Sequence, residues 1–144
     1  MTTLPVLWER AHAVTLHVPA TPDTHHLVDS KALARMQPGS VLVNTSRGPL
    51  VDTEALVDAL REGRLAGAGL DVFESEPLPA DSPLRSSDGV LLTPHAAFYS
   101  DDSIHTLQRL AAEEVERALA GRPMRSPVVG PSGGCPAQAR RPSA

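Results

Sequence analysis

Val41-Leu42-Val43-Asn44-Thr45-Ser46-Arg47-Gly48-Pro49-Leu50-Val51-Asp52, followed by residues 53–62, Gly63 and the run 65–72, is the stretch on which the fold turns. Its opening is short and rich in Val and Leu without strict alternation, the pattern of a strand covered on both faces in a parallel sheet. Asp52 can accept a backbone N–H at the start of a helix over 53–62, whose Leu56, Val57 and Leu60 form one apolar stripe. Gly63 stands where that helix needs a left-handed residue to stop. The run 65–72 is a second strand. Strand, helix and strand within roughly 30 residues make the crossover unit of a parallel sheet.

The same reading extends outward. Residues 14–18 and 90–92 are two further strands. Ser30 can cap a short helix over 31–36, ended by Pro38-Gly39, and residues 4–10 read as the end of another helix. A long helix begins after Ser100, with Asp101 and Asp102 complementing its dipole and Gly121 just past its end. Ile104, Leu107, Leu110, Ala111, Val115 and Leu119 recur along it at helical spacing. The fold class is therefore α/β, a partial Rossmann-type parallel sheet of about four strands with flanking helices. From Arg122 onward the chain is rich in Pro, Gly and Arg with no periodicity. Residues 1–124 are read as one domain and 125–144 as a disordered tail.

The chain has 144 residues, 41% of them apolar and 21% charged, as a globular domain has. Aromatic residues are only 3%, so Leu, Val and Ala must build the core. A net charge of −4 leaves no basic footprint for nucleic acid, and no apolar run reaches the length of a membrane span. Cys135 is the one cysteine, which excludes an internal disulfide and makes a reducing cytoplasm the default location.

In open parallel sheets, ligands bind at the carboxyl ends of the strands. His17-Val18-Pro19 and Thr24 follow the first strand, and Asn44-Thr45-Ser46-Arg47-Gly48 the second. Asp71, Glu74 and Glu76 follow the third, and Thr93-Pro94-His95 the fourth. An arginine, carboxylates and a histidine on one rim suit proton-coupled reduction of a 2-keto acid. Arginine offers a planar fork to a carboxylate. Histidine exchanges a proton near neutrality, and a carboxylate on its other nitrogen fixes the tautomer.

The strings at those strand ends carry a resemblance. Val14-Thr15-Leu16-His17-Val18-Pro19 with Thr24 and Leu27, residues 36–52, Gly69-Leu70-Asp71-Val72-Phe73-Glu74-Ser75-Glu76-Pro77 and Leu92-Thr93-Pro94-His95 resemble the signatures of the D-isomer-specific 2-hydroxyacid dehydrogenases. The likeness runs from about Leu7 to Arg122. Within that family, His95-Ala96-Ala97-Phe98-Tyr99-Ser100 and Glu74-Ser75-Glu76-Pro77 are most similar to the carboxyl-terminal binding protein branch, with Phe98 where the corepressors carry a tryptophan.

The resemblance implies an NAD-dependent oxidoreductase acting on a small 2-hydroxy or 2-keto acid, with a homodimer as the usual assembly. By it, Arg47 binds the substrate carboxylate, His95 is the general acid–base, and Glu76 holds His95 protonated and aligned. Asp71 contacts the nicotinamide carboxamide. Val18, Pro19, Thr24, Thr45, Ser46 and Phe98, together with Arg47 and His95, line the cofactor channel. No metal site is expected. Glu74 reads as a solvated loop acid, and His25 and His26 as surface histidines.

A complete doubly wound domain would place a strand, a Gly-rich turn and a helix ahead of residue 4. The pair Gly67 and Gly69 lies inside a strand run and lacks the third glycine of GxGxxG. The sequence thus leads us to expect a truncated module, weakly active or inactive alone. The alternative is a non-catalytic module, corepressor-like or serving dimerisation.

Overall fold

A computed structural model describes residues 2–127. The chain divides into two units, Met1–Ala97 and Phe98–Ala144, a division that falls inside the stretch 1–124 read above as one domain. Most of the tail expected over 125–144, with Cys135, lies outside the described residues.

The first unit holds α1 (Leu4–Arg10), β1 (Ala13–Leu16), α2 (Ser30–Arg35), β2 (Ser40–Asn44), α3 (Thr53–Arg61), β3 (Leu65–Leu70) and β4 (Val90–Leu92), with short 3-10 turns at Gly48–Leu50 and Pro83–Ser86. All strand pairs are parallel and the order is β1-β2-β3-β4. This is the four-stranded, Rossmann-like sheet that the alternation of elements predicts.

Local chemistry explains the boundaries. The Asp52 carboxylate accepts the Ala55 N–H at 3.0 Å and starts α3. Gly63, at φ 68°, ends it. For α2 the cap differs from expectation: Asp29, not Ser30, accepts the Ala32 N–H at 2.8 Å, and Ser30 is the first helical residue. An ionised acceptor one residue earlier outcompetes the hydroxyl. β1 stops at Leu16 and β3 at Leu70, so His17-Val18 and Asp71-Val72 lie beyond the strands as loop.

Strand burial corrects a second expectation. In β1 and β2 buried and open positions alternate; Val14, Leu16 and Leu42 are buried while Val41 is 37% exposed. The buried face packs Trp8 of α1, Leu33 of α2, and Leu56, Val57 and Ala59 of α3 into one cluster with Leu65, Ala68 and Leu70 of β3. Two-sided cover in the first unit, inferred from the continuous apolar runs, is not seen along these strands.

The second unit contains α4 (Asp101–Leu119). Ser100 and Ser103 form a reciprocal capping box, and Asp101 and Asp102 occupy the first turn as anticipated. None of its residues is buried; Leu107, Val115 and Leu119 are exposed. No helix among the described residues is long and apolar enough to cross a membrane.

Leu42 is wholly buried at the middle of the sheet. Leu42→Ala is expected to cost about 2–5 kcal/mol, read as a lowered urea midpoint with an unchanged slope. A loss below about 1 kcal/mol would mean that the site collapses around the void.

Candidate active site

The carboxyl end of β3 is the organising point. The Asp71 N–H continues the ladder to the Asn44 carbonyl at 3.0 Å, and the Asp71 carbonyl accepts the His95 N–H at 2.8 Å. The Asp71 side chain, only 3% exposed, takes the Thr93 hydroxyl and the Ala96 N–H (2.8 Å) on Oδ1 and the Ala97 N–H (2.9 Å) on Oδ2. One carboxylate thereby holds the whole turn from Thr93 to Ala97. Burial pushes the Asp71 carboxyl up, but its hydrogen bonds and the nearby His95 outweigh that and leave it below its ordinary value.

His95 stands in this turn with φ 55°, an uncommon backbone for a non-glycine residue. Its Nδ1 lies 2.7 Å from Glu76 Oε2, and Glu76 Oε1 accepts the Phe73 N–H at 3.0 Å. The bond to His95, then that to Phe73, keeps the Glu76 carboxyl below its usual range. An ionised acceptor at Nδ1 assigns the proton of a neutral ring to that nitrogen and leaves Nε2 to exchange protons. The pair borders a cavity of about 330 Å³, walled on its apolar side by Phe73, Pro77, Leu78 and Leu92.

Arg47 sits at the end of the neighbouring strand. Asn44, 1% exposed, accepts the Ser46 N–H (3.1 Å) on Oδ1 and donates through Nδ2 to the Arg47 carbonyl (2.8 Å). This fixes the backbone of the Thr45-Ser46-Arg47 turn. The guanidinium is exposed and donates to the Ser46 carbonyl at 2.6 Å. It does not line the cavity beside His95; Arg85, which the sequence reading passed over, does. The structure therefore joins Glu76 and His95 directly, with Arg47 on the adjacent strand end and bonded to neither.

Of the residues expected to line a cofactor channel, Val18, Pro19, Thr24, Thr45 and Ser46 lie beyond β1 and β2. Val18 and Pro19 are exposed beyond β1, Thr45 is exposed and Ser46 half-buried beyond β2. Thr24 ties the first of these loops together, donating to the Pro19 carbonyl at 2.7 Å and accepting the Thr21 N–H at 2.8 Å. Phe98 belongs to the second unit, where it meets Tyr99 edge-on with ring centroids 6.3 Å apart.

Two bland readings need correction. Glu74 is a tie rather than a free loop acid: Oε1 lies 2.6 Å from His26 Nε2, and Oε2 accepts the Thr53 N–H at the start of α3 (2.9 Å). Partial burial raises its carboxyl, and the bonds from Thr53 and His26 more than reverse this. His26, at φ 50°, is the other half of that tie, with Asp52 at 3.8 Å and His25 stacked at 4.0 Å. A pair separated by 48 positions leaves no periodic trace in a sequence. Asn44 was legible, since an Asn before Thr-Ser at a strand end is a turn signal.

Asp71 also makes stability depend on pH. A carboxyl whose folded value lies below its unfolded one stabilises the fold above the unfolded value, and this contribution disappears as pH falls through the folded one. Its ordinary value is 3.8, so stability should decline as pH drops from about 5 through the acid range. Asp71→Asn is expected to lower the thermal midpoint at neutral pH and flatten that decline. Parallel curves for the two proteins would remove Asp71 as its source.

Comparison with known proteins accords with this geometry. Residues 1–97 match the family model described as D-isomer specific 2-hydroxyacid dehydrogenase, NAD binding domain. The chain is similar to the (S)-sulfolactate dehydrogenase of Chromohalobacter salexigens, 49% identical over 119 residues, covering 83% of this chain and 38% of that protein. It is similar also to the glyoxylate reductase of Thermofilum pendens, 47% identical over 120 residues, covering 83% of this chain and 35% of that one. Among solved structures, the holo form of Rhodotorula graminis D-mandelate dehydrogenase superposes with a TM-score of 0.83 at 37% identity, covering 90% of this chain and 38% of that one. The chain thus spans less than two fifths of the length of these relatives. It belongs to the D-isomer specific 2-hydroxyacid dehydrogenase family, matching the NAD binding domain.

Proposed function

We propose that this chain supplies the acid–base and substrate-anchoring side of an NAD-dependent oxidoreductase interconverting a 2-keto acid and a 2-hydroxy acid. The observation that carries the reading is the His95 Nδ1–Glu76 contact of 2.7 Å at the carboxyl end of a parallel sheet, beside a cavity. His95 Nε2 gives its proton to the carbonyl oxygen during reduction and recovers it during oxidation. Glu76 holds the ring in the required tautomer. Arg47 pairs through its planar fork with the substrate carboxylate, its backbone set by Asn44.

The residues present fit a nicotinamide dinucleotide along this rim. Asp71 Oδ2 holds a single backbone donor and retains a lone pair for a carboxamide N–H. Val18 and Pro19 offer an apolar wall beyond β1, with Thr24 in the same loop and Thr45 and Ser46 beyond β2. When bound, the nicotinamide supplies the hydride that passes to the carbonyl carbon, while the proton comes from His95. The names of the relatives make glyoxylate and (S)-sulfolactate the first substrates to try. We read residues 95–100 as similar to the carboxyl-terminal binding protein branch, with Phe98 in place of the corepressors' tryptophan, which removes that branch's particular substrate as a guide.

A second reading, a dimerisation module, has one observation in its favour: α4 carries Leu107, Val115 and Leu119 exposed along its length. The two readings separate on one residue. Titrating the chain with NADH by fluorescence, then adding keto acid, should give weak saturable binding followed by slow cofactor oxidation. His95→Ala should keep the binding and slow the oxidation about a hundredfold or more. Absence of NADH binding would confine this chain to the non-catalytic binding-module reading, and turnover undiminished in His95→Ala would overturn the oxidoreductase reading.

A further inference from the structure

Gly48 follows Arg47 and is buried, yet its backbone does not need glycine, since it is not among the residues at positive φ. What it needs is the absence of a side chain. A Cβ placed there would lie 1.9 Å from both the carbonyl carbon and the carbonyl oxygen of Phe73 and 2.5 Å from the Glu74 nitrogen. Those are backbone atoms, which cannot swing aside as the end of a side chain can. The Arg47-Gly48 turn therefore lies directly on the Phe73–Glu74 peptide.

From this we infer that Gly48 is a positioning residue, the steric seat that registers the Arg47 turn against the loop carrying Glu76 and, through Glu76, His95. On one side of the seat, the Arg47 carbonyl is held by Asn44 Nδ2 at 2.8 Å. On the other, the N–H of Phe73, whose own carbonyl touches Gly48, donates to Glu76 Oε1 at 3.0 Å, and Glu76 Oε2 meets His95. Two residues that never touch, Arg47 and His95, are thus set at a fixed separation by backbone packing. A methyl group at position 48 drives the two loops apart and strains the Phe73–Glu76 bond. The meaning of the three residues as one set rests on the oxidoreductase reading; the packing does not.

The test uses the whole 144-residue chain without cofactor or substrate, so that its failure is distinct from failure of the oxidoreductase reading. Carbon-13 NMR follows the Glu76 carboxyl titration, and hydrogen exchange follows the Phe73 amide. In Gly48→Ala, the Phe73 amide should exchange about tenfold faster or more. The Glu76 midpoint should rise toward its ordinary 4.5. Gly67→Ala is the control, because a Cβ there meets the Gly89 carbonyl oxygen at 2.6 Å, away from the Phe73–Glu76 loop. It should cost stability and leave both readouts as in the parent.

Unchanged readouts in folded Gly48→Ala, or equal changes in the control, would overturn the inference. Should Gly48→Ala not fold, Thr53→Pro decides. Proline suits the first position of α3 and removes the N–H that Glu74 accepts. If Gly48 is the seat, Phe73 protection and the Glu76 midpoint survive in Thr53→Pro. If both are lost there, the Glu74 tie sets the loop and the inference falls.

Discussion

A carboxylate taken out of water must find donors, and Asp71 finds three within one turn: the Thr93 hydroxyl and the N–H groups of Ala96 and Ala97. Its own main chain accepts from His95 and donates to Asn44, so a single residue stitches β2, β3 and the segment beyond β4 together. The left-handed backbone at His95 persists because the surrounding bonds over-determine it. The imidazole is thereby directed at Glu76 by the fold before any ligand arrives. Preorganisation of that kind is what the proposed proton transfer requires, since its geometry costs nothing at the moment of reaction.

The rim of strand ends also shows how parallel sheets bring distant segments to one edge. Each strand brings its own turn to one edge; the first two turns are stabilised internally, by Thr24 after β1 and Asn44 after β2, whereas Asp71 after β3 bonds across to the turn after β4. Two further ties between turns are of different kinds. Glu74 joins the loop after β3 to His26 and to the start of α3 through charge-assisted bonds. Gly48 joins it to the turn after β2 through close packing alone.

Much of this was legible in the sequence because it depends on local chemistry. Asp52, Gly63, Ser100 and Gly121 mark helix ends through hydrogen bonds or backbone conformations that act within a few residues. The strand–helix alternation gave the parallel sheet, and the strand-end rule brought Glu76 and His95 to one place. What escaped depends on separation in the chain. The Glu74–His26 tie spans 48 positions, and no periodicity encodes it. Arg47 was placed on the correct rim, but its lateral distance from His95 depends on loop packing that strand order cannot supply. The one-sided burial of β1 and β2 escaped for another reason: Val41 and Leu42 are both apolar, so composition could not say which face would be open.

The turn bearing His95 is fastened at residues 96 and 97 by main-chain N–H groups, while the side chains there are exposed methyls. Every amino acid except proline carries the same donor. Either side chain can therefore be exchanged for any but proline without removing a donor from Asp71, so the surface next to His95 is free to vary in chemistry while the backbone that sets the His95–Glu76 contact is inherited intact.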